Sequence, residues 1–139
     1  MKLFVAVKAM VQNSEEKILI VRESSDYVEG SLKGIYDVVG GRISSEESLI
    51  DGLKREVKEE AGLEVEIGEL VHVDEKFQEI KGEKVHIVRI YYQCTSDSSE
   101  VVLSKDHDSF EWIEPHNHKN FNLFYDVAEV FDKWIEKGV

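Results

Sequence analysis

One cysteine and one proline occur in 139 residues. Cys94 has no second thiol in the chain to pair with, so no internal disulfide forms, and a reducing cytoplasm is the expected location. With Pro115 the lone proline and no repeat or Pro/Gly/Ser tract, no linker divides the sequence, and one domain over residues 1–139 is expected. No apolar run approaches the roughly 20 residues that a bilayer span needs, so no membrane partner is expected. The opening "MKLFVAVKAMVQ" lacks a small-residue cleavage site and reads as a strand, not a signal peptide. Basic residues are also few. Lys and Arg number 17 against 29 Asp and Glu, a net charge of -12. Nucleic-acid binding rests on basic side chains that neutralise phosphates, so it is disfavoured. A small phosphorylated ligand is compatible, because a divalent cation reverses the local field.

Apolar residues alternate over 2–11 and again over 18–24, with "QNSEEK" as the turn between two paired strands. A polar loop holding Gly30 and Gly34 leads to a short strand, "IYDVV", that ends at Gly40-Gly41. A helix is expected from about Glu46 to Ala61, with Gly62 at the C-terminal glycine position. Two longer β segments, about 64–80 and 84–95, follow around "KGEK", then a strand "FEWIE". Phe124, Val127, Val130, Phe131 and Trp134 recur at helical spacing near the C-terminus. Strands before, between and after two helices predict an α/β or α+β sandwich built on a mixed sheet.

The first helix carries two local penalties. At about 100° per residue, Glu56, Glu59 and Glu60 share an arc of about 100° that overlaps the edge of the apolar stripe of Leu49, Ile50, Leu53 and Val57. Arg55 flanks the arc and can pair with Glu59 at i,i+4, whereas Lys54 and Lys58 lie on the far side. Gly52 sits between Glu59 and Glu56 in projection, where a helix-interior glycine costs about 1 kcal/mol relative to alanine. Its missing side chain leaves a groove beside the carboxylates where something can approach the backbone. Carboxylates at the core edge suit a hard divalent cation, and equally a solvated acidic helix. Ser44-x-x-Glu47 fits a capping box at the helix start.

The full spacing separates these readings. Gly41, five residues, Glu47, seven residues, then Arg55-Glu56-Val57-Lys58-Glu59-Glu60-Ala61-Gly62-Leu63 resembles the Nudix box at every fixed position. The resemblance to the Nudix hydrolase superfamily implies an α/β/α sandwich with a central mixed β-sheet. It also implies Mg²⁺- or Mn²⁺-dependent hydrolysis of a small nucleoside diphosphate derivative. By position, Glu56, Glu59 and Glu60 are similar to the family's metal-binding carboxylates, with a carbonyl of Gly40 or Gly41 as a further ligand. Glu56 occupies the position that acts as general base in some members. Arg55 would orient the carboxylates, and Glu47 would contact the Arg. Gly40 and Gly52 are candidates for the substrate side. "SKDHDSFEW" is similar to a family pattern in which an acid six residues before a Trp reaches the metal site, here Asp106, with Glu111 as the second candidate.

The chain departs from the pattern at Val39, where many members have Pro, and at Ser44-Ser45-Glu46, where Glu-Pro-Gly is common. Residues 76–82, "KFQEIKG", hold neither the Pro nor the Tyr that marks some ADP-ribose and dinucleoside-polyphosphate branches. His116 and His118 read as a polar loop, His72 and His86 as sheet residues, and Cys94 as packed. Tyr27, Tyr36, Phe77, Phe121 and Phe124 could stack on a base, with core packing as the default. A modified nucleoside triphosphate and an ADP-ribose-type or nucleotide-sugar compound are the leading substrates. A non-catalytic nucleotide-sensing module is the alternative. Many members are dimers, and a homodimer is compatible with the sequence.

Overall fold

The computed structural model describes residues 1–24 and 34–138. Among them a mixed sheet carries one helix on each face, as an α/β/α sandwich requires. The strands are β1 (Lys2–Gln12), β2 (Ile18–Glu23), β3 (Tyr36–Asp37), β4 (Val39–Arg42), β5 (Glu66–Ile80), β6 (Glu83–Thr95) and β7 (His107–Ile113). The helices are α1 (Leu49–Ala61) and α2 (Tyr125–Lys137), with a short 3-10 turn at Pro115–Asn120. Gly30 and Tyr27 lie outside the described residues.

β1 is the centre of the sheet. It runs parallel to β6 along its whole length, antiparallel to β4 over Ala6–Ala9, and meets β2 at Gln12. A strand enclosed on both faces needs apolar residues at nearly every position, and the inner part of "LFVAVKAMVQ" supplies them. Val7, Ala9 and Val11 pack under α1 with Leu53, Val57 and Ala61. Met10 faces the other way, into a second core built with Val127, Val130, Phe131 and Trp134 of α2. The spacing of those four residues is the apolar stripe read from sequence.

Local chemistry sets the boundaries. Asn13 Oδ1 accepts the amides of Glu15 and Lys17, both at 3.0 Å, and so closes the β1–β2 turn. Lys81 and Gly82, with φ of 50° and 80°, make the two-residue turn between β5 and β6. Helix α1 begins three residues later than the sequence suggests. Ser48 is the N-cap, its hydroxyl accepting the Asp51 amide at 3.1 Å, and Gly62 ends the helix in the left-handed region with its N–H donating to the Lys58 carbonyl. The expected capping box at Ser44 and Glu47 is therefore corrected. These residues close a turn of their own ahead of the helix, in which the Ser44 amide donates to Glu47 Oε1 at 3.2 Å.

The glycine pair does not end the strand either. β4 continues through Gly40 and Gly41 to Arg42, because each glycine lies where a Cβ has no room. His118, read as part of a polar loop, is buried, stacked on Phe131 at 5.3 Å and bonded to Asp132 at 3.0 Å. Cys94 is buried in the α1-side core, which pushes its thiol up to about 12. No helix among the described residues is long and apolar enough to cross a membrane.

Candidate active site

Arg55 organises the carboxylates of α1. Its Nε donates to Glu47 Oε2 at 2.6 Å and its Nη2 to Glu47 Oε1 at 2.9 Å, a two-pronged pair. Nη1 reaches Glu56 Oε1 at 3.0 Å and Glu59 Oε2 at 3.1 Å, and Nη2 also meets the Arg42 carbonyl. One guanidinium thus ties the loop before α1, two turns of α1 and the end of β4. The hydrogen bonds from Arg55, followed by the Ser44 amide, hold the Glu47 carboxyl down at about 2.

Glu56 turns inward against Gly41. A Cβ on Gly41 would lie 2.7 Å from Glu56 Oε2, so only glycine lets that carboxylate sit on the β4 backbone. One helical turn on, Glu60 is mostly buried, with its side chain 17% exposed. Glu56 and Glu60 share a side-chain hydrogen bond. Burial first, and then the neighbouring Glu56 charge working against Lys8, raises Glu60 to about 8. At neutral pH the pair therefore retains a proton.

The three helix carboxylates are not equivalent. Glu56 and Glu60 meet, while Glu59 is 59% exposed and turned onto Arg55. Among the described residues, no three acidic, His or Cys side chains close around one point. A buried pair that must share a proton is nonetheless the donor set a hard cation replaces that proton on, and Mg²⁺ is commonly held by one or two carboxylates with waters filling the rest. Glu56 and Glu60 fit such an ion, with the neighbouring Gly40 and Gly41 backbone at the same place.

Glu60 opens onto a cleft of about 180 Å³ whose other walls include Lys8, Asp37, Gly40, Asp106 and His107. Asp106, in the turn just before β7, is thus brought to the cleft that Glu60 lines. The amide of Ser24 on its main-chain carbonyl, at 2.8 Å, pins the loop that carries it. Glu111 is exposed on β7 and does not line the cleft. Lys8, Asp37 and His107 are among the cleft residues that were not singled out as site residues from the sequence. Lys8 projects from β1 and pairs with Asp37 Oδ2 at 3.1 Å. His107 Nδ1 is buried without a hydrogen bond, 3.8 Å from Glu60, and burial, followed by Lys8, lowers the His107 pKa, so the imidazole stays neutral.

A family profile described as NUDIX domain matches residues 2–134. The chain belongs to the Nudix family. The expectation of a Nudix pyrophosphohydrolase stands with that membership. This Nudix chain is 25% identical over 115 residues to the CTP pyrophosphohydrolase of Escherichia coli K12, covering 83% of itself and 78% of that protein. It is 21% identical to the nucleoside triphosphatase NudI of Klebsiella pneumoniae 342, covering 82% and 84% of the two chains. The fold matches the MutT protein of Methanosarcina mazei Go1 with a TM-score of 0.82, at 23% identity and over 99% and 96% of the two chains.

Gly52 has a different place in this Nudix helix from the one its projection suggests. A Cβ there would meet Ile43 Cγ2 at 2.6 Å and Glu47 Oε1 at 3.0 Å, so the notch is filled by the loop before α1 and is not open to substrate. Gly52→Ala should cost up to about 2 kcal/mol. Overpacking of about 1–3 kcal/mol outweighs the roughly 1 kcal/mol gained in helix propensity. Urea denaturation reads this directly, and a variant more stable than wild type would refute the packing account.

Proposed function

We propose that this protein hydrolyses the pyrophosphate linkage of a nucleoside di- or triphosphate derivative, with Mg²⁺ (or Mn²⁺) held by Glu56 and Glu60, and that it acts in the cytoplasm. The observation that carries the reading is the cleft that brings the mostly buried Glu60 together with Lys8 and Asp106, beside the α1 carboxylates that Arg55 holds. When bound, the cation supplies charge neutralisation on the phosphate oxygens and a more acidic water. Lys8, the only Lys or Arg among the described cleft residues, offers a second positive charge to the anion. Arg55 keeps Glu56 and Glu59 fixed, and Glu47 keeps Arg55 fixed.

Asp106 is the better-placed proton acceptor. Glu56 already accepts from Arg55, whereas among the described residues no hydrogen bond or ion pair engages the Asp106 carboxylate. It can take the proton from the attacking water while the leaving phosphate oxygen departs on the far side of the phosphorus. The relatives named CTP pyrophosphohydrolase and nucleoside triphosphatase favour a nucleoside triphosphate as the substrate class.

The test is a panel of nucleoside triphosphates, nucleotide-sugars and dinucleoside polyphosphates assayed for released phosphate or pyrophosphate with and without Mg²⁺. At least one compound should turn over with Mg²⁺, and chelation should abolish it. Tight Mg²⁺-dependent nucleotide binding with no hydrolysis anywhere on the panel would instead establish the nucleotide-sensing alternative.

A further inference from the structure

Lys8 stands where an apolar residue would fold more cheaply. It interrupts β1 between Val7 and Ala9, and its side chain is only 13% exposed. An ammonium withdrawn that far from water is costly unless it is paired and hydrogen-bonded. Asp37 supplies the pair, its Oδ2 accepting Lys8 Nζ at 3.1 Å and its Oδ1 accepting the Val38 amide at 2.7 Å. Both carboxylate oxygens are engaged, which fixes the point where the ammonium sits. The stem is fixed as well. Lys8 lies opposite Gly40 in the β1–β4 ladder, and a Cβ on Gly40 would stand 2.8 Å from Lys8 Cα and 3.0 Å from its Cδ. The bare Gly40 backbone is therefore the bed on which the lysine stem lies.

The ammonium so placed serves the cleft. Its charge reaches Glu60, which it pulls down against burial, and His107, which it pushes down, so it acts on both the α1 and the β7 walls. Among the described residues Asp37 is its only hydrogen-bond partner, and an ammonium has further N–H donors to offer a ligand. The other cleft charges are the carboxylates of Glu23, Asp37, Glu60 and Asp106, which repel any phosphate that no cation shields. The space is also small. At about 180 Å³ the cleft falls below the roughly 300–1,000 Å³ of pockets that enclose a drug-sized ligand, so it has room for phosphate groups and not for a nucleoside. Phosphates differ in what they present to a lysine. A terminal phosphate, esterified once, carries a charge of about -1.5 to -2 at pH 7 and three acceptor oxygens. A phosphate capped by a sugar has lost one of those oxygens, and its second ionisation, to the ester. A lysine ammonium is a point charge that reads charge and not planar shape, so it separates the two.

We propose that Lys8 is a specificity residue that takes the free terminal phosphate of the substrate. The protein then prefers nucleotides that end in a free phosphate to nucleotide-sugars and other diphosphates whose outer phosphate is esterified. This rests on the reading that the substrate phosphates enter this cleft. The test uses the full chain with Mg²⁺ and one pair of compounds. The first is the nucleoside triphosphate with the highest turnover on the panel (ATP if none turns over), and the second is the same compound methylated on its terminal phosphate. Wild type should show a KM at least about tenfold lower for the free form, the scale of one charge-assisted hydrogen bond. The bound cation also senses the missing charge, so a variant isolates the share that belongs to Lys8. Lys8→Met should lose most of the ratio, through a higher KM for the free form and little change for the methylated one. If circular dichroism shows that Lys8→Met fails to fold, Lys8→Met combined with Asp37→Asn, which leaves no unpaired carboxylate, takes its place. A wild type that does not distinguish the pair overturns the proposal. So does a folded variant that keeps the full ratio, or one that loses equally on both compounds, as a packing role alone would produce. If neither compound is hydrolysed, the hydrolase reading fails, and equilibrium dialysis of the same pair with Mg²⁺ decides this one. A tenfold preference that Lys8→Met removes supports it, and equal binding refutes it.

Discussion

Glu60→Gln should lower kcat by more than about 100-fold, the upper end for residues that act on a metal only indirectly, and should stabilise the cation-free protein at pH 8. Both effects come from one geometry. Glu60 is buried against Glu56, which raises it from the ordinary 4.5 to about 8. The sign follows from which state holds more protons. Between about 4.5 and 8 the folded chain retains a proton that the unfolded chain has lost, so the stability that Glu60 allows at low pH disappears as pH rises through that window. At about 1.4 kcal/mol per pKa unit, the wild type without cation should lose roughly 2–4 kcal/mol between pH 5 and 8. Glutamine keeps the volume and carries no charge, so the variant should show little of that slope. Adding Mg²⁺ should restore wild-type stability at pH 8 and do much less for the variant. Urea unfolding at several pH values, with chelator or with Mg²⁺, reads all of this without an activity assay. A wild-type stability that is flat across the window would mean that Glu60 is not crowded as described.

The readability of this site from sequence followed the physics of each part. Helix α1 and α2 announce themselves because apolar spacing of 3 and 4 is set within one segment. The carboxylates of α1 share a face for the same local reason. The rest needed the sheet. Lys8 interrupts the apolar run of β1, and Asp37 interrupts "IYDVV", but nothing local says that the two meet at 3.1 Å. Their pairing depends on β4 lying beside β1 with Lys8 opposite Gly40. At Gly52 the helical projection shows that something can approach the backbone, but not that it is the loop before α1. The projection also made Glu59 equivalent to Glu56 and Glu60. The difference arises from Arg55, which draws Glu59 outward while the Gly41 backbone receives Glu56. Phe77 was assigned to the core because aromatics usually are, yet the hairpin that carries it outruns the helix that would cover it.

Arg55→Ala should damage activity and fold together, and Arg55→Lys should not repair either. The guanidinium makes five hydrogen bonds, to both oxygens of Glu47, to Glu56, to Glu59 and to the Arg42 carbonyl. A lysine ammonium is a point charge on a flexible stem and cannot reproduce that fork. Removal leaves the Glu47, Glu56 and Glu59 charges facing one another without their shared cation. The side chain is 38% exposed, so water and salt replace part of what is lost. The expected loss of stability is about 2–3 kcal/mol, well under the sum of the individual bonds. Turnover should fall about 10–100-fold, because Glu56 and Glu59 lose the group that orients them. The variant also carries a pH signature that simple loss of packing would not produce. Glu47 is held at about 2 against an ordinary 4.5 by Arg55 and the Ser44 amide. Its contribution is therefore fully present above about 4.5 and is lost as pH falls toward 2. Without Arg55 the larger cause of that shift is gone, so the Glu47 share of acid destabilisation should shrink in Arg55→Ala and in Glu47→Gln alike. If Arg55→Ala kept the full wild-type acid slope, Glu47 would owe its low value to the Ser44 amide, and the guanidinium would not be the centre of the network.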